Sequence, residues 1–369
     1  MPADEKNDTP TFSTVSERVM KADADYVMHT YGRYPVEFVS GHDATLVDST
    51  GREYLDLLGC ASLGHCNPTV ADAIRDQLGL VWQTSNYFYD EKRARLAAAL
   101  STMLSTTTDE GGHVVGSTGT RWRTFFANSG AEANEGAIKL ARRWGEVKLG
   151  GASTIVTARK SFHGRTLATL AATGQDKFHR SFRPLPEGFV TVALNDIYAL
   201  RERVERGGVC AVMLECVQGE GGVWNANYDY LRDVRDLCTE KGILLVIDEV
   251  QTGFYRCGSP FCYQRSEIEP DVVSMAKGIA DGFPMGAVAA RAKVADLMGP
   301  GDHGSTFGGN PVVCAGANVV VDRMDASFLA NVNERAVQLR TGLEKLPRVK
   351  SLSGIGLMVG IEFLEGIKD

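Results

Sequence analysis

The sequence predicts an α/β fold with a mostly parallel central sheet covered by helices, and a smaller α+β domain formed by the N- and C-terminal segments. Three observations support this. Helical and strand patterns alternate from about residue 70, as is typical of parallel sheets with helical crossovers. The predicted strands are short, nearly continuous apolar runs, which indicates burial on both faces. Polar residues follow most of these runs, which predicts a ligand crevice at one edge of the sheet.

The N-terminal part predicts a satellite layer beside the core. Residues 1–12 are polar and expected to fray, and residues 15–31 have a helical pattern. Residues 38–57 alternate around a turn at 48–51, which predicts a hairpin. Pro68 and Thr69 then begin a helix.

The core strands are predicted at residues 124–126, 154–157, 190–193, 209–214, 243–247 and 272–275. After Pro311 helices are predicted at 312–325 and 328–346, followed by a strand at 360–363. The Thr/Ser/Gly-rich stretch at 101–120 predicts a loop. We therefore divide the chain into an N-terminal segment of the small domain at 1–60, a large domain at 61–310 and a C-terminal small domain at 311–369.

Composition excludes several classes of function. The chain has 369 residues, and its 39 basic and 46 acidic residues give a net charge of −7, which disfavours nucleic acid and anionic lipid as partners. No apolar run is long enough to cross a membrane, and the start lacks an export signal, so a cytoplasmic protein is expected. The eight cysteines lack zinc-ligand spacing, and we interpret them as reduced thiols with no metal site.

A tripeptide at the end of the first core strand is a candidate anion site. Ser129, Gly130 and Ala131 precede a helix predicted over 132–144, whose free backbone N–H groups would face the crevice. A phosphate is the expected ligand. The alternative is that Asn128 or Ser129 only caps the helix.

Two charged residues end neighbouring apolar strands. Asp248 follows five apolar residues, so its buried carboxylate needs either a cationic ligand group or a structural arginine. Lys277 follows residues 272–276 and precedes a glycine. Most lysines are solvated surface residues, but a partly desolvated lysine can attack a carbonyl. Together, the anion site, carboxylate and amine fit pyridoxal phosphate (PLP): phosphate on the tripeptide, ring nitrogen on Asp248 and aldehyde on Lys277.

Longer motifs carry a resemblance to a family. The chain contains NSGAEANEGAIKLAR, SFHGRTLATLAATGQ, ECVQGEGGV, VIDEVQTGF, AKG with FPMGAV, and HGSTFGGNP, in this order from residue 128 to 311. These stretches resemble those of the class III aminotransferases, which are fold-type I PLP enzymes.

The resemblance implies roles for individual residues around the cofactor. Lys277 resembles the Schiff-base lysine that also moves the proton, and Asp248 the partner of the ring nitrogen. Gln251 would donate to the ring hydroxyl, and the ring would lie between Phe162 and Val250. The other implied cofactor-binding residues are Ser129, Gly130 and Ala131 at the phosphate, Glu249 in a supporting position, and Thr306, which in the family reaches the neighbouring subunit's cofactor. A homodimer with shared sites is therefore implied.

The resemblance also implies a substrate pocket. Arg165 resembles the residue that binds a substrate carboxylate, and Ser305 and Glu215 would belong to the same pocket. Glu220 resembles a gate that lets one pocket accept both an amine donor and a 2-oxo acid. The implied reaction transfers the terminal amino group of N2-acetylornithine to 2-oxoglutarate in arginine biosynthesis. Ornithine, succinylornithine or 4-aminobutyrate as donor, an aminomutase, and a truncated, silent PLP-binding protein are the alternatives.

Some positions depart from the family pattern. The LLGCAS stretch at 57–62 is about three residues shorter than the family's loop at the substrate entrance, and Asp281 stands in a normally glycine-rich pair. The family also continues to an arginine that binds the α-carboxylate, and no such segment follows Asp369. We therefore expect the C-terminal small domain to be incomplete.

Overall fold

The computed structural model describes residues 15–59 and 61–364. The predictions for residues 1–12 and Cys60, and for the chain end at 365–369, lie wholly or partly outside the described residues. The helices are α1 (Glu17–Tyr26), α2 (Pro68–Leu78), α3 (Glu91–Leu104), α4 (Gly130–Lys148), α5 (Leu167–Ala172), α6 (Asp176–His179), α7 (Ile197–Glu205), α8 (Tyr228–Lys241), α9 (Ala292–Ala295), α10 (Pro311–Arg323) and α11 (Ala326–Glu344).

The strands form one central sheet and several small sheets. They are β1 (Phe38–His42), β2 (Thr45–Asp48), β3 (Glu53–Leu55), β4 (Thr106–Thr108), β5 (Val114–Ser117), β6 (Trp122–Ala127), β7 (Thr154–Ala158), β8 (Phe189–Val192), β9 (Val209–Leu214), β10 (Val217–Gln218), β11 (Trp224–Asn225), β12 (Leu244–Asp248), β13 (Val272–Met275), β14 (Gly286–Arg291), β15 (Val349–Ile355) and β16 (Met358–Phe363).

The central sheet has seven strands in the order β6-β14-β13-β12-β9-β7-β8. The six strands predicted from the sequence are all present in it. The sequence analysis missed β14, which pairs antiparallel with both β13 and β6. This strand reads GAVAAR, and glycine and alanine have weak strand propensity, so its burial by neighbouring elements decides its conformation.

Helix α4 is positioned by its cap and by its apolar face. The side chain of Ser129 accepts a hydrogen bond from the backbone N–H of Glu132, which satisfies one of the donors left free at a helix start. The buried side of α4 consists largely of small residues that pack against β14, β13 and β9. As a result, the N-terminus of α4 lies at the carboxyl ends of the parallel strands.

Two of the smaller sheets come from the two terminal regions, and the other two, β4–β5 and β10–β11, lie between residues 106 and 225. Strands β1–β3 form an antiparallel sheet with its second turn at 48–51, and β15 pairs with β16 at the other end of the chain. The predicted loop at 101–120 was wrong in part: it holds the end of α3 and the β4–β5 hairpin. Helix α10 packs against α2 and α3, and the domain boundary at 310 stays a prediction.

Candidate active site

A cavity of about 420 Å³ lies at the carboxyl ends of the central strands. This size suits a small organic ligand. The structure brings together nine of the predicted site residues in its lining: Ser129, Gly130, Ala131, Phe162, Arg165, Asp248, Val250, Gln251 and Lys277. Glu215, Glu249, Thr306, Ser305 and Glu220 do not line this cavity, and their positions are described below.

The N-terminus of α4 forms one wall. The two interpretations of the tripeptide are compatible here, because Ser129 caps the helix while the N–H groups of its first turn have no intrahelical acceptor. Gly286 at the start of β14 lies against this turn: a Cβ at Gly286 would be 2.1 Å from the carbonyl oxygen of Ser129. The close approach of β14 fixes the position of the candidate phosphate site.

Asp248 lines the cavity and accepts hydrogen bonds from three donors. Its Oδ2 accepts hydrogen bonds from Asn134 Nδ2 and His163 Nδ1, both at 2.8 Å, and its Oδ1 accepts one from the Val250 N–H at 3.0 Å. Within residues 15–59 and 61–364, no arginine pairs with Asp248, so the structural-pair alternative is not observed there. The arrangement keeps the carboxylate available to a cationic group in the cavity.

Two buried polar atoms beside Asp248 have no hydrogen-bond partner among the residues that the structure describes. These are Oδ1 of Asn134 and Nε2 of His163, on residues that are 1% and 2% exposed. Buried polar atoms without partners are unusual and call for a ligand or an ordered water. Both residues also line the cavity, so this end of the site fits a group with polar ring substituents.

Lys277 follows β13 and begins a short 3₁₀ helix. Its backbone φ is 49°, a left-handed conformation that costs free energy for a residue with a side chain and clusters at functional sites. The residue is half-buried and lines both the cavity at Asp248 and a second, adjoining cavity. Lys277 is therefore a residue of the cavity wall, which disfavours the solvated-surface alternative.

Phe162 and Arg165 also line the cavity. The backbone N–H of Phe162 donates to Glu215 Oε2 at 3.0 Å, and the guanidinium of Arg165 lies 5.6 Å from the Phe162 ring centroid and 4.5 Å from that of Phe178. Glu215 thus lies behind Phe162 rather than in the cavity lining. Burial, together with the nearby charge of Asp248, raises the pKa of Glu215 well above its ordinary value.

Glu249 lies beneath the site. Its side chain is fully buried and accepts hydrogen bonds from the N–H groups of Cys262 and Tyr263 and from the Thr252 hydroxyl. Burial raises the pKa of Glu249 to about 8 although these donors lower it. The residue therefore anchors the 262–263 segment under the site.

Gln251 contacts Glu220, an exposed residue at the cavity edge. Its Nε2 donates to Glu220 Oε1 at 3.1 Å. A Cβ at Gly219 would be 1.9 Å from Gln251 Oε1, so glycine makes room for this side chain. The sequence predicts a positive φ at glycines 219, 221 and 222, and only Gly222 has one; at Gly219 space, not backbone conformation, requires glycine.

The loop before α10 does not line the cavity, but it is hydrogen-bonded to the residue that precedes the α4 cap. Ser305 Oγ accepts a hydrogen bond from Asn128 Nδ2 at 3.2 Å, which ties this loop to the residue before the α4 cap. Thr306 is exposed, and its carbonyl accepts a hydrogen bond from Gln83 Nε2 at 2.8 Å. Thr306 therefore lies outside the lining of the cavity.

Sequence reasoning missed Asn134. Asn134 is a buried polar residue on the sheet-facing side of α4, and this placement within the helical pattern was the available signal.

Comparisons with known proteins agree with this geometry. The family profile described as "Aminotransferase class-III" matches residues 26–368. The chain is 46% identical over 356 residues to the acetylornithine aminotransferase of Haemophilus ducreyi, covering 95% of this chain and 87% of the relative. It is also 46% identical over 346 residues to that of Caldanaerobacter subterraneus, covering 91% and 84%.

Solved structures give the same result. The fold superposes on ornithine aminotransferase from Toxoplasma gondii with a TM-score of 0.84 at 30% identity, covering 96% of this chain and 82% of the other. For N-acetylornithine aminotransferase from Stenotrophomonas maltophilia the TM-score is 0.75 at 32% identity, with 94% and 84% covered. The structure is thus a fold-type I architecture, and the chain belongs to the class III aminotransferase family.

Proposed function

We propose that this chain is a PLP-dependent aminotransferase that moves the terminal amino group of N2-acetylornithine to 2-oxoglutarate, giving N-acetylglutamate 5-semialdehyde and glutamate in arginine biosynthesis. The observation that carries the cofactor assignment is that a single cavity is lined by both the start of α4 and Asp248. Free N–H groups at the start of α4 suit a phosphate, and the Asp248 carboxylate suits a protonated ring nitrogen. Lys277, on the same cavity wall, supplies the amine.

Each wall residue has a proposed role. Asp248, oriented by Asn134 and His163, would hold the ring nitrogen in its protonated form. Phe162 and Val250 both line the cavity and would exclude water from the two ring faces. When bound, PLP withdraws electrons from the substrate carbon that carries the amino group, so that a proton on this carbon becomes acidic. Lys277 Nζ would take this proton and return it during the transfer.

The donor is proposed from the relatives. Curated relatives at 40–46% identity over most of this chain carry the name acetylornithine aminotransferase. Ornithine is the second candidate, because the structure also superposes on an ornithine aminotransferase at 30% identity. Arg165, beside the Phe162 ring, would bind the carboxylate of either donor.

The test follows the two half-reactions in turn. The purified chain, loaded with PLP, is mixed with N2-acetylornithine, and the loss of the cofactor's visible absorbance is followed; 2-oxoglutarate should restore it. We expect ornithine and 4-aminobutyrate to react at least tenfold more slowly at equal concentration. An absorbance that N2-acetylornithine leaves unchanged, in a protein with bound PLP, would contradict the proposed function. Lys277→Ala should bind PLP without the visible band.

A second copy of this chain is the proposed partner. The segment from Trp82 to Tyr89 exposes several aromatic side chains, with Tyr87 95% and Phe88 66% exposed. It is hydrogen-bonded to the Ser305–Thr306 loop, next to which Phe307 is 63% exposed. Contiguous apolar surface of this kind favours an interface. A homodimer would bury it and bring Thr306 to the partner's phosphate site.

The proposed homodimer can be tested by measuring the molecular mass of the protein in solution. Tyr87→Lys should shift the protein toward monomer in light scattering and weaken PLP binding, whereas Tyr198→Lys, at an aromatic residue 84% exposed on α7, should do neither. A wild-type monomer of full activity would contradict the homodimer.

We also propose a cytoplasmic location. The seven cysteines among the described residues are free thiols, which fits a reducing compartment. No helix within residues 15–59 and 61–364 is long and apolar enough to span a membrane. Fractionation of cells that express the full chain tests the location, and recovery outside the cytoplasmic fraction would contradict it.

A further inference from the structure

The loop at residues 305–308, before α10, is held by the side chain of Asn86. Nδ2 of Asn86 donates to the carbonyl oxygens of Ser305 and Gly308, at 2.9 and 3.3 Å. Arg93, on α3, donates to Oδ1 of Asn86 at 2.5 Å, which fixes the orientation of the Asn86 amide group. We call residues 305–308 the Thr306 loop. Side-chain hydrogen bonds from a distant part of the chain thus hold both ends of this loop.

The Thr306 loop also packs closely on the end of β6. A Cβ at Gly308 would lie 2.2 Å from the carbonyl oxygen of Phe126, and a Cβ at Gly309 would lie 2.9 Å from the Cβ of Phe126. The N–H of Gly308 donates to Ser305 Oγ at 3.0 Å, which closes the loop on itself. Because these two positions are glycine, the loop can lie directly against the strand that leads into α4.

Asn128 joins the Thr306 loop to the start of α4. Its Nδ2 donates to Ser305 Oγ at 3.2 Å and to Glu132 Oε2 at 2.9 Å, and its backbone N–H donates to the same Oε2 at 2.6 Å. The N–H of Glu132 in turn donates to Oγ of the capping residue Ser129 at 3.2 Å. These four residues form a continuous hydrogen-bond network from the loop to the first turn of α4. The free N–H groups of that turn are the proposed phosphate site.

Two phosphate sites depend on this network in the proposed homodimer. One is the start of α4 in the same subunit, and the other is the partner's site, to which the loop brings Thr306. We propose that the network couples the two sites, so that PLP bound to one subunit favours the binding of PLP to the other. This inference rests on the proposed homodimer and on the proposed cofactor, and it assigns Asn128, Ser305 and Asn86 as positioning residues.

The direction of the coupling follows from the order in which the groups become fixed. A phosphate on the first turn of α4 immobilises Ser129 and, through Glu132 and Asn128, the Thr306 loop. The second phosphate then meets a loop that is already in place, so no further conformational entropy is lost in ordering it. Because coupling between two binding sites commonly changes an affinity about 5- to 150-fold, the second PLP should bind at least about fivefold more tightly than the first.

The test is a titration of the cofactor-free protein with PLP. Protein fluorescence is the signal, and the subunit concentration is kept below the half-saturating PLP concentration. A fivefold coupling corresponds to a Hill coefficient of about 1.4 for two sites. Ser305→Ala removes the acceptor that joins Asn128 to the loop, so its Hill coefficient should fall to about 1. Ser305→Thr keeps the hydroxyl and should bind PLP as cooperatively as wild type. Light scattering at the same concentrations should show a dimer in every case.

The matched control is Ser101→Ala. Ser101 is also half-buried, and its Oγ accepts the N–H of Trp122 at 3.1 Å, but neither residue belongs to the network. This variant should keep the Hill coefficient of wild type.

Three results would overturn the proposal. They are non-cooperative binding of PLP by a wild-type dimer, a Hill coefficient that Ser305→Ala leaves unchanged, and a Hill coefficient that varies with protein concentration, since the last would report dimer assembly. A monomeric wild type would contradict the homodimer and the coupling together. A dimer that binds PLP cooperatively but ignores N2-acetylornithine would contradict only the proposed reaction, because the titration contains no substrate.

Discussion

The Nδ1 atom of His163 lies 2.8 Å from Oδ2 of Asp248, and the two residues are 2% and 4% exposed. Because both residues are buried, the hydrogen bond between them orients the carboxylate and stabilises its charge. Hydrogen bonds to charged groups contribute about 1.5–3 kcal/mol. His163→Leu should therefore weaken PLP binding about 10- to 100-fold, as measured by titrating the cofactor-free protein with PLP.

The control for this variant is His179→Leu. His179 hydrogen-bonds the carbonyl oxygens of Leu170 and Thr173 and does not line the cavity. Its replacement should leave PLP affinity unchanged. Equal affinity of His163→Leu and wild type would contradict the role assigned to the His163–Asp248 pair.

The second prediction concerns the close approach of β14 to the α4 cap. A Cβ at Gly286 would lie 2.1 Å from the Ser129 carbonyl oxygen, so Gly286→Ala must displace the N-terminus of α4. Overpacking of this kind costs about 1–3 kcal/mol. We expect a lower melting temperature and weaker binding of PLP. Gly304→Ala is the control, because a Cβ there would meet no atom within 4 Å, and an equal effect of both variants would exclude this explanation.

Asp248, Lys277 and strand β14 show which parts of the site can be predicted from the sequence and which cannot. The apolar runs and the polar residues after them locate Asp248 and Lys277 at one sheet edge, since burial and strand direction follow from local pattern. The sequence pattern of β14 does not identify it as a strand, because glycine and alanine have weak strand propensity. Close packing against the Ser129 turn requires a small residue at Gly286. The helical pattern can place Asn134 on the sheet-facing side of α4, but its hydrogen bond to Asp248 depends on tertiary packing between residues distant in the chain.

Glu249 gives a prediction for pH dependence. Burial raises its pKa from the ordinary 4.5 to about 8, so between these values the folded chain binds a proton that the unfolded chain releases. The free energy of unfolding should therefore fall as the pH rises from about 4.5 to 8, by at most about 1.4 kcal/mol per pH unit from this group. Denaturant unfolding at several pH values measures the slope.

Glu249→Gln should flatten this slope. The variant removes the titration, although it also loses part of the bonding to the Thr252 hydroxyl and the Cys262 and Tyr263 N–H groups and is expected to be less stable at every pH. The difference in slope, not in stability, is the readout. A variant whose slope equals that of wild type would show that another group titrates in this range.

Arg165 yields a prediction for both half-reactions. Its guanidinium packs on the Phe162 and Phe178 rings, and its proposed ligand is the remote carboxylate that donor and acceptor share. Arg165→Gln should therefore raise the half-saturating concentrations of N2-acetylornithine, 2-oxoglutarate and succinic semialdehyde together, each about 10- to 100-fold. Lys177→Gln, which removes another cation over the Phe178 ring, should change none of them. A loss confined to one substrate would place the shared carboxylate elsewhere.

Asp281 explains how the entrance segment is held beside Lys277. Its Oδ1 accepts the Leu63 N–H at 2.7 Å, and its own φ is 51°, a left-handed conformation that asparagine and aspartate tolerate better than most residues. Asp281→Asn keeps both the acceptor and the conformational tolerance, whereas Asp281→Ala loses both. We expect Asn to retain wild-type kinetics and Ala to lower the melting temperature and raise the half-saturating concentration of both substrates. If Asp281→Gly, which relieves the backbone but lacks the acceptor, behaves like wild type, the hydrogen bond to Leu63 does not position the segment.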